Sequence, residues 1–391
     1  MTVGVETGAT MSTARGGPDL SAFCRERLSS LSRADQRRWG EAYVRGLVTV
    51  PGRKSIRRIS DQIIGWRADQ CLQQFVNQSP WPWEPVRRNL AEHVAGLVAT
   101  RAWVVREAVF PKAGSSSVGV ARQYAFGAGR LLNCQLGLAV FLVGDTAACA
   151  VNWRLLLPRC WDDDQRRRAR AHLPAVQRYR PRWLHPLDAI DEMINGWKLP
   201  PRPVLVDADD QQDVQPLLTG LEQRGLCYLV QVAPHLRVPA APGACPAPSF
   251  GELALCAVRP PTSRLRWQAG TELRTADTRF VASPLPPGNP MPVGDHPFQP
   301  TRHLLAQWAV GRGRPRGMWL TNLDVARLPE VIDLIGLRAR AAEHLWRMED
   351  EVGLRHFEGR SFRGWHHHTT LASVAYAYRL GAAELPSSWY C

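Results

Sequence analysis

Several clusters in this sequence carry side chains that could do chemistry. Asp162-Asp-Asp164 is a run of carboxylates, the ligand type that hard divalent cations prefer. Gln165 and three arginines follow it, so it reads equally as the acidic start of a solvated helix, where the helix dipole favours negative charge. His366-His-His368 offers imidazoles to a metal. Consecutive residues rarely converge on one ion, and a helix start or a DNA contact is the other reading. Arg53, Lys54, Arg57 and Arg58 form the densest basic group of the N-terminal region. They suit backbone phosphates, or simply a solvated helix face. Asp207 closes a short apolar run, Val204-Leu-Val206, and alone reads as a strand-end carboxylate paired with an arginine such as Arg106. The nine cysteines are scattered without a CxxC pair, which indicates neither a zinc site nor a disulfide framework.

The charge balance narrows the class of partner. Of 391 residues, 49 are basic and 35 acidic, for a net charge of +14. Only Lys54, Lys112 and Lys198 are lysine. Such a balance favours a polyanion, either nucleic acid or an acidic membrane surface. With 45% hydrophobic and 21% charged residues, a disordered or collagen-like chain is excluded. The longest apolar stretch, Leu136 to Val151, is broken by Gly144-Asp145 and is too short to span a bilayer. It reads as two buried strands joined by a turn. The polar N-terminus lacks the apolar region of a signal peptide, so a cytoplasmic location is expected.

These side chains must be positioned by an α/β chain of about two to three domains. Residues 1–20 read as a disordered tail. Residues 21–99 read as a small helical domain with a basic surface. Trp39, Tyr43, Val44 and Leu47 fall at helical spacing before Gly46, Pro51 and Gly52 break the pattern, and Ser55 to Val76 is amphipathic. From Arg101 the period changes to that of strands: Ala102–Phe110, Ser116–Phe126, Leu131–Leu142 and Ala147–Leu157. Helices at Asp162–His172, Pro186–Gly196 and Leu217–Arg224 then alternate with strands at Val204–Val206 and Cys227–Val232, the order of a mixed layered fold. Residues 233–300 are dense in proline and read as a β-rich insertion, with a hairpin over Thr262–Ser283. Beyond it, Thr301–Val310 reads as helix, Gly317–Asn322 as strand, and Leu328–Glu351 and Phe357–Leu380 as helices.

The runs Ser117-Val-Gly-Val-Ala-Arg-Gln-Tyr124, Asn133-Cys-Gln135 and His356-Phe-Glu-Gly-Arg-Ser-Phe-Arg-Gly-Trp-His-His-His368 resemble insertion-sequence transposases of the DDE superfamily. The group is the one numbered seven-hundred-and-one, common in actinobacteria. Tyr43-Val-Arg-Gly-Leu47, Arg53-Lys-Ser55, Gln74-Phe-Val76, Ser79-Pro-Trp81, Trp153-Arg-Leu155 and Leu320-Thr-Asn322 extend the resemblance along most of the chain, in order. It implies an RNase H-like core in two parts, residues 100–232 and 301–391, split by the insertion. It also implies three carboxylates holding two divalent metals for cutting and joining double-stranded DNA. A homodimer is compatible with it.

Carried over one at a time, the acids do not all survive. The family's first aspartate sits in a pattern like Asp-Asp-Thr-Gly-Phe-Pro-Lys; the stretch here is Arg106-Glu-Ala-Val-Phe-Pro-Lys112. Arg106 stands at the acid's position with Glu107 beside it. The second aspartate is kept as Asp207, though the glycine and Tyr-Gly that follow in the family are not. The third acid lies on the long helix, where Ala342 occupies its place and Glu343 follows. Adjacent strand residues point to opposite faces, so Glu107 should turn away from a site that Arg106 faces. One step along a helix turns a side chain by about 100°. Arg106 would also repel a divalent ion by on the order of 8 kcal/mol at about 4 Å and an effective dielectric near 20.

The resemblance therefore implies a degenerate, domesticated bacterial homologue that keeps DNA binding and needs no cofactor. Two alternatives stay open. One is an active Mg²⁺-dependent enzyme using the displaced acids Glu107, Asp207 and Glu343, with Asp207 the surviving metal ligand. The other is a cleft recruited for a non-DNA role, such as a biosynthetic enzyme or accessory protein. Arg122, Arg360, Arg363, Trp365 and His366 sit in the family motifs, with Arg53, Lys54, Arg57 and Arg58 upstream. Arginine suits phosphate by bidentate hydrogen bonding and tryptophan can stack on a base. Alternatively Arg360 pairs with Glu358 and Trp365 packs in the core.

Overall fold

The alternation of buried and exposed positions resolves into a helical layer, a large sheet and a long internal helix. The computed structural model describes residues 19–65, 68–208, 213–237, 248–256, 262–269, 272–285, 291–293, 296–298, 301–309 and 313–384. The expected tail, apart from its last two residues, and parts of the expected insertion lie outside them.

Five helices come first: α1 (Leu20–Arg27), α2 (Ala34–Thr49), α3 (Ile56–Ile59, continued by a π-turn), α4 (Asp69–Asn77) and α5 (Glu84–Leu97). Gly46 does not end α2. It lies inside the helix because Ile59 packs where a side chain would be. Strands β1 (Ala102–Pro111), β2 (Ala121–Ala125), β3 (Arg130–Val143) and β4 (Ala148–Leu156) follow. Next come α6 (Gln165–Arg170), α7 (Leu184–Asp191), β5 (Val204–Asp207), α8 (Gln215–Gln223), β6 (Tyr228–Gln231) and α9 (Phe250–Cys256). The remainder is β7 (Thr262–Ala269), β8 (Glu272–Pro284), β9 (Met291–Val293), β10 (His296–Phe298), β11 (His303–Ala309), β12 (Gly317–Thr321), α10 (Leu328–Glu351) and α11 (Phe362–Glu384).

The main sheet runs β2-β3-β1-β5-β6-β12-β11-β8-β7, with β4 paired to β3 beyond β2. β1, β5 and β6 are mutually parallel and the other ladders antiparallel. This mixed α/β architecture is consistent with an RNase H-like domain. The β7–β8 hairpin does not stand apart; through β11 it lengthens the same sheet. One expectation fails here. The sequence reads Thr301–Val310 as helix, yet its described part contains the strand β11. It hydrogen-bonds β8 on one side and β12 on the other, and two satisfied ladders outweigh a weak intrinsic preference.

Helix α11 is buried on every side from Trp365 to Ala377, as a helix enclosed by other elements must be. It packs against β4 on one side and against α2, α4 and α5 on the other. Several of its buried polar residues are placed against partners. The Tyr43 hydroxyl lies 2.9 Å from His368 Nδ1, and His368 Nε2 donates to the Leu354 carbonyl at 2.9 Å, an arrangement that a neutral imidazole protonated on Nε2 satisfies. His344 of α10 meets the Tyr376 hydroxyl at 2.7 Å. Burial pushes both histidines down to about 4. Their ordinary value lies near 6.5, so below it the unfolded chain takes up protons that the folded chain refuses. Stability is therefore complete above about pH 6.5 and declines as pH falls towards 4, by up to about 3 kcal/mol per histidine. Urea unfolding at pH 7.5, 6 and 5 should show this loss. A stability unchanged down to pH 5 would contradict neutral, buried imidazoles.

Candidate functional site

Strand β5 ends at Asp207 beside the middle of the parallel strand β1, which runs on to Pro111, and Arg106 and Asp207 both meet α10 there. In register, Val105 lies beside Val206, which brings Arg106 next to Asp207. Arg106 Nη1 lies 3.1 Å from Asp207 Oδ2, and Arg338 Nε of α10 contacts the other oxygen, Oδ1. The single carboxylate is thus held between two guanidiniums. Burial lowers the pKa of Arg106, Asp207 raises it and Arg338 lowers it further. Arg106 stays charged all the same, because its starting value is so high.

Glu107 makes a separate pair. Its Oε2 contacts Arg182, in the segment leading into α7, and its Oε1 accepts from the Gly127 N–H at 3.1 Å. Arg182 in turn lies over the Phe126 ring, 5.6 Å from its centroid. Arg106, Glu107, Phe126, Gly127, Arg182, Asp207 and Arg338 together line one recess of about 240 Å³. Glu343 is not among these lining residues. Ala342 lies one turn after Arg338 on the same helix face, whereas Glu343 is rotated away by about 100°. Arg340 and Arg347 feel the Glu343 charge instead.

The predicted DNA contacts divide in two. Arg57, Arg122, Arg360 and Arg363 are exposed, and Arg58 is half-buried. Arg53 is exposed and pairs with Glu358 at 2.6 Å, which brings the loop before α3 against the loop before α11. Glu358 therefore pairs with Arg53 rather than Arg360. Lys54, Trp365 and His366 are corrections. Lys54 is buried, with Nζ donating to the Val50 carbonyl. Trp365 is 1% exposed and packs edge-on against Phe110 and Trp153. His366 stacks on Trp83 at 4.5 Å and sits 3.1 Å from Arg87. All three face the core, because α11 is enclosed and the loop before α3 turns inward. Asp162-Asp-Asp164 likewise serves local structure: Asp164 caps α6 through the Arg167 N–H, and Asp162 accepts from the Tyr179 N–H.

Sequence reading missed Arg182, Arg338 and Phe126 as site residues. Arg338 had a signal, since it begins the helical stretch that contains Ala342. Arg182 had none, because its approach to Glu107 depends on how residues 171–183 cross the sheet.

The recess thus lies where a central parallel strand of a mixed α/β fold ends against a long helix. The chain belongs to the DDE superfamily endonucleases, whose family model matches residues 27–253. No curated protein matches it. Among the described residues, no helix is long and apolar enough to cross a membrane.

The family implies divalent metals held by carboxylates, and the donor set here does not fit them. Both Asp207 oxygens face guanidiniums, and Glu107 is taken by Arg182 and a backbone N–H. Among the described residues, no three His, Cys, Asp or Glu side chains converge. Asp209 and Asp210 lie outside the described residues.

The clamp predicts a stability effect. Asp207→Asn leaves two partly buried guanidiniums facing each other and should cost about 1–3 kcal/mol. Adding Arg106→Met should recover part of that loss. Denaturant titration of the single and double variants checks this, and additive losses would show that Arg106 and Asp207 do not act as a pair.

Proposed function

We propose that this protein is a degenerate relative of the insertion-sequence transposases numbered seven-hundred-and-one, which binds double-stranded DNA without DDE strand cleavage. The observation that carries the reading is Asp207 held between Arg106 and Arg338. Two-metal phosphodiester cleavage needs carboxylates that attract cations to the reacting phosphate. Here the surviving acid is already neutralised, and a positive charge stands where a cation would sit. The binding half of the inherited function has no such obstacle. The +14 charge and the exposed Arg53, Arg57, Arg360 and Arg363 supply an electrostatic footprint for a phosphate backbone. In this reading residues 21–99 and the segment entering α11 form the duplex-facing surface. The core of residues 100–232 and 301–391 is the scaffold, and the protein works in the cytoplasm as a domesticated homologue.

The test is a gel shift on double-stranded DNA in EDTA. Binding should persist without metal and weaken steeply with salt. Replacing Arg57, Arg360 and Arg363 by alanine should lower the slope of log affinity against log salt by about 3, near one per lost phosphate contact. A nicking assay with Mg²⁺ should show no cleavage. Cleavage that Asp207→Ala abolishes would overturn the reading in favour of an active enzyme using Glu107, Asp207 and Glu343.

A further inference from the structure

A second hollow, of about 250 Å³, opens beside β4, the strand that pairs with β3 beyond β2. Its walls come from the starts of α5 and α11, from β4, and from the segment that leads into α7. Among the described residues it shares no lining side chain with the recess around Asp207. One wall is aromatic. Half-buried Trp83 stacks on His366 at 4.5 Å and meets Phe362 edge-on at 6.1 Å.

Two N–H groups of the lining residues lack an acceptor. Arg154 gives Nη2 to Glu192 at 2.8 Å, and its buried Nε has no hydrogen-bond partner. His366 is 4% exposed, and its Nδ1 lies 3.1 Å from Arg87 Nη2. A guanidinium only donates, so Nδ1 accepts and the proton of the neutral ring sits on Nε2. Burial, and then the Arg87 charge, keep His366 neutral by holding it well below the usual histidine range. Among the described residues, its hydrogen bonds run through Nδ1 and its backbone carbonyl, and none through Nε2. Native interiors seldom leave such donors unpaired.

The charges around the hollow limit what can supply the acceptors. Arg154 is paired with Glu192, and Arg180 with Asp188. Arg178 is exposed and gives Nη1 to the Asp162 carbonyl at 3.3 Å, a neutral partner that leaves its charge in place. Glu84 and Asp188 also line the hollow and oppose a ligand with two negative charges. A carboxylate brings two acceptor oxygens and a single charge. The volume is below that of the usual pocket for a drug-sized ligand, so the molecule must be compact.

We infer that this hollow binds a small aromatic carboxylate, with its ring against Trp83 and Phe362 and its oxygens taking the free N–H groups of His366 and Arg154. Arg178 balances the charge. The neutral imidazole donates without adding a second cation, which matches a ligand of single charge. This site goes beyond the DNA-binding reading and does not rest on it.

Isothermal titration calorimetry of the full-length protein with naphthoate tests the inference. Naphthoate should bind with a dissociation constant below about 1 mM, which a ligand of its size can reach. Naphthalenemethanol, which lacks the charge, and naphthyl phosphate, which carries more of it, should each bind at least about tenfold more weakly. His366→Phe keeps a ring beside Trp83 and removes the donor, and should weaken naphthoate about tenfold. Arg178→Ala, at an exposed position, should weaken it about fivefold, and tests the site even if His366→Phe does not fold. A dissociation constant above about 1 mM overturns the inference. So does equal affinity for the uncharged alcohol, tighter binding of the phosphate, or affinity unchanged in either folded variant. None of these outcomes bears on the gel shift, so the DNA-binding reading stands or falls separately.

Discussion

The arrangement of this molecule depends on enclosing a helix that is rich in polar side chains. α11 places His366, His367, His368, Thr369, Thr370 and Ser373 in the interior, where each unpaired group would be costly. Arg87 of α5 answers much of that demand. It donates to Thr370 Oγ1 at 2.8 Å and to the Trp153 carbonyl at 2.9 Å, and lies 3.1 Å from His366 Nδ1. His367 lies between the Val76 and Trp81 carbonyls, and Trp153 Nε1 donates to Ser373. These bonds join the N-terminal helices, the sheet and the C-terminal helix. The N-terminal helices therefore share one continuous core with the sheet. Because these bonds cross between layers, they also specify how the layers fit.

That rigid frame also holds the charged groups of the recess in place. Clustered carboxylates repel one another and need a cation to neutralise them. Asp207 instead has two guanidiniums as counterions, Arg106 and Arg338, and needs no added cation. The pairs are partly screened, with side-chain exposures of 18–30%, so their worth lies in positioning more than in net stability. Both arginines come from rigid elements. Arg106 sits inside a strand paired on both sides, and Arg338 on a helix of 24 residues. Their guanidiniums are held close to fixed places.

Most of the fold was legible because its signals are local. Leu328–Glu351 was readable to the residue, and β3 and β4 to within a position or two, since apolar runs bounded by turns state their own ends. β11 was not legible, because a Leu- and Ala-rich run becomes a strand only when β8 and β12 flank it. The site was legible in part. Asp207 could be located from its strand-end position, Arg106 and Glu107 from the motif that carries the resemblance, and the pairing of Arg106 with Asp207 was one of the readings open. Trp365 and His366 misled, because a motif shows where residues recur and not which way they face. Arg182 and Phe126 could not be seen, because their proximity to the recess is created by the crossing of chain segments far apart in sequence.

A guanidinium and a divalent metal ion can occupy the same place in a phosphate site and still do different work. Both neutralise phosphate oxygens, and arginine adds directional hydrogen bonds. A metal also lowers the pKa of a bound water and supports the oxygen that leaves, which makes a nucleophile at neutral pH. Arginine binds no water in that way and accepts no proton. An arginine where such a site would hold an acid therefore attracts a phosphate but supplies no means to attack it. The basic excess of the sequence acts on function at two scales. Under the proposed reading it draws a polyanion over the surface, and at the recess it opposes a metal ion beside Asp207.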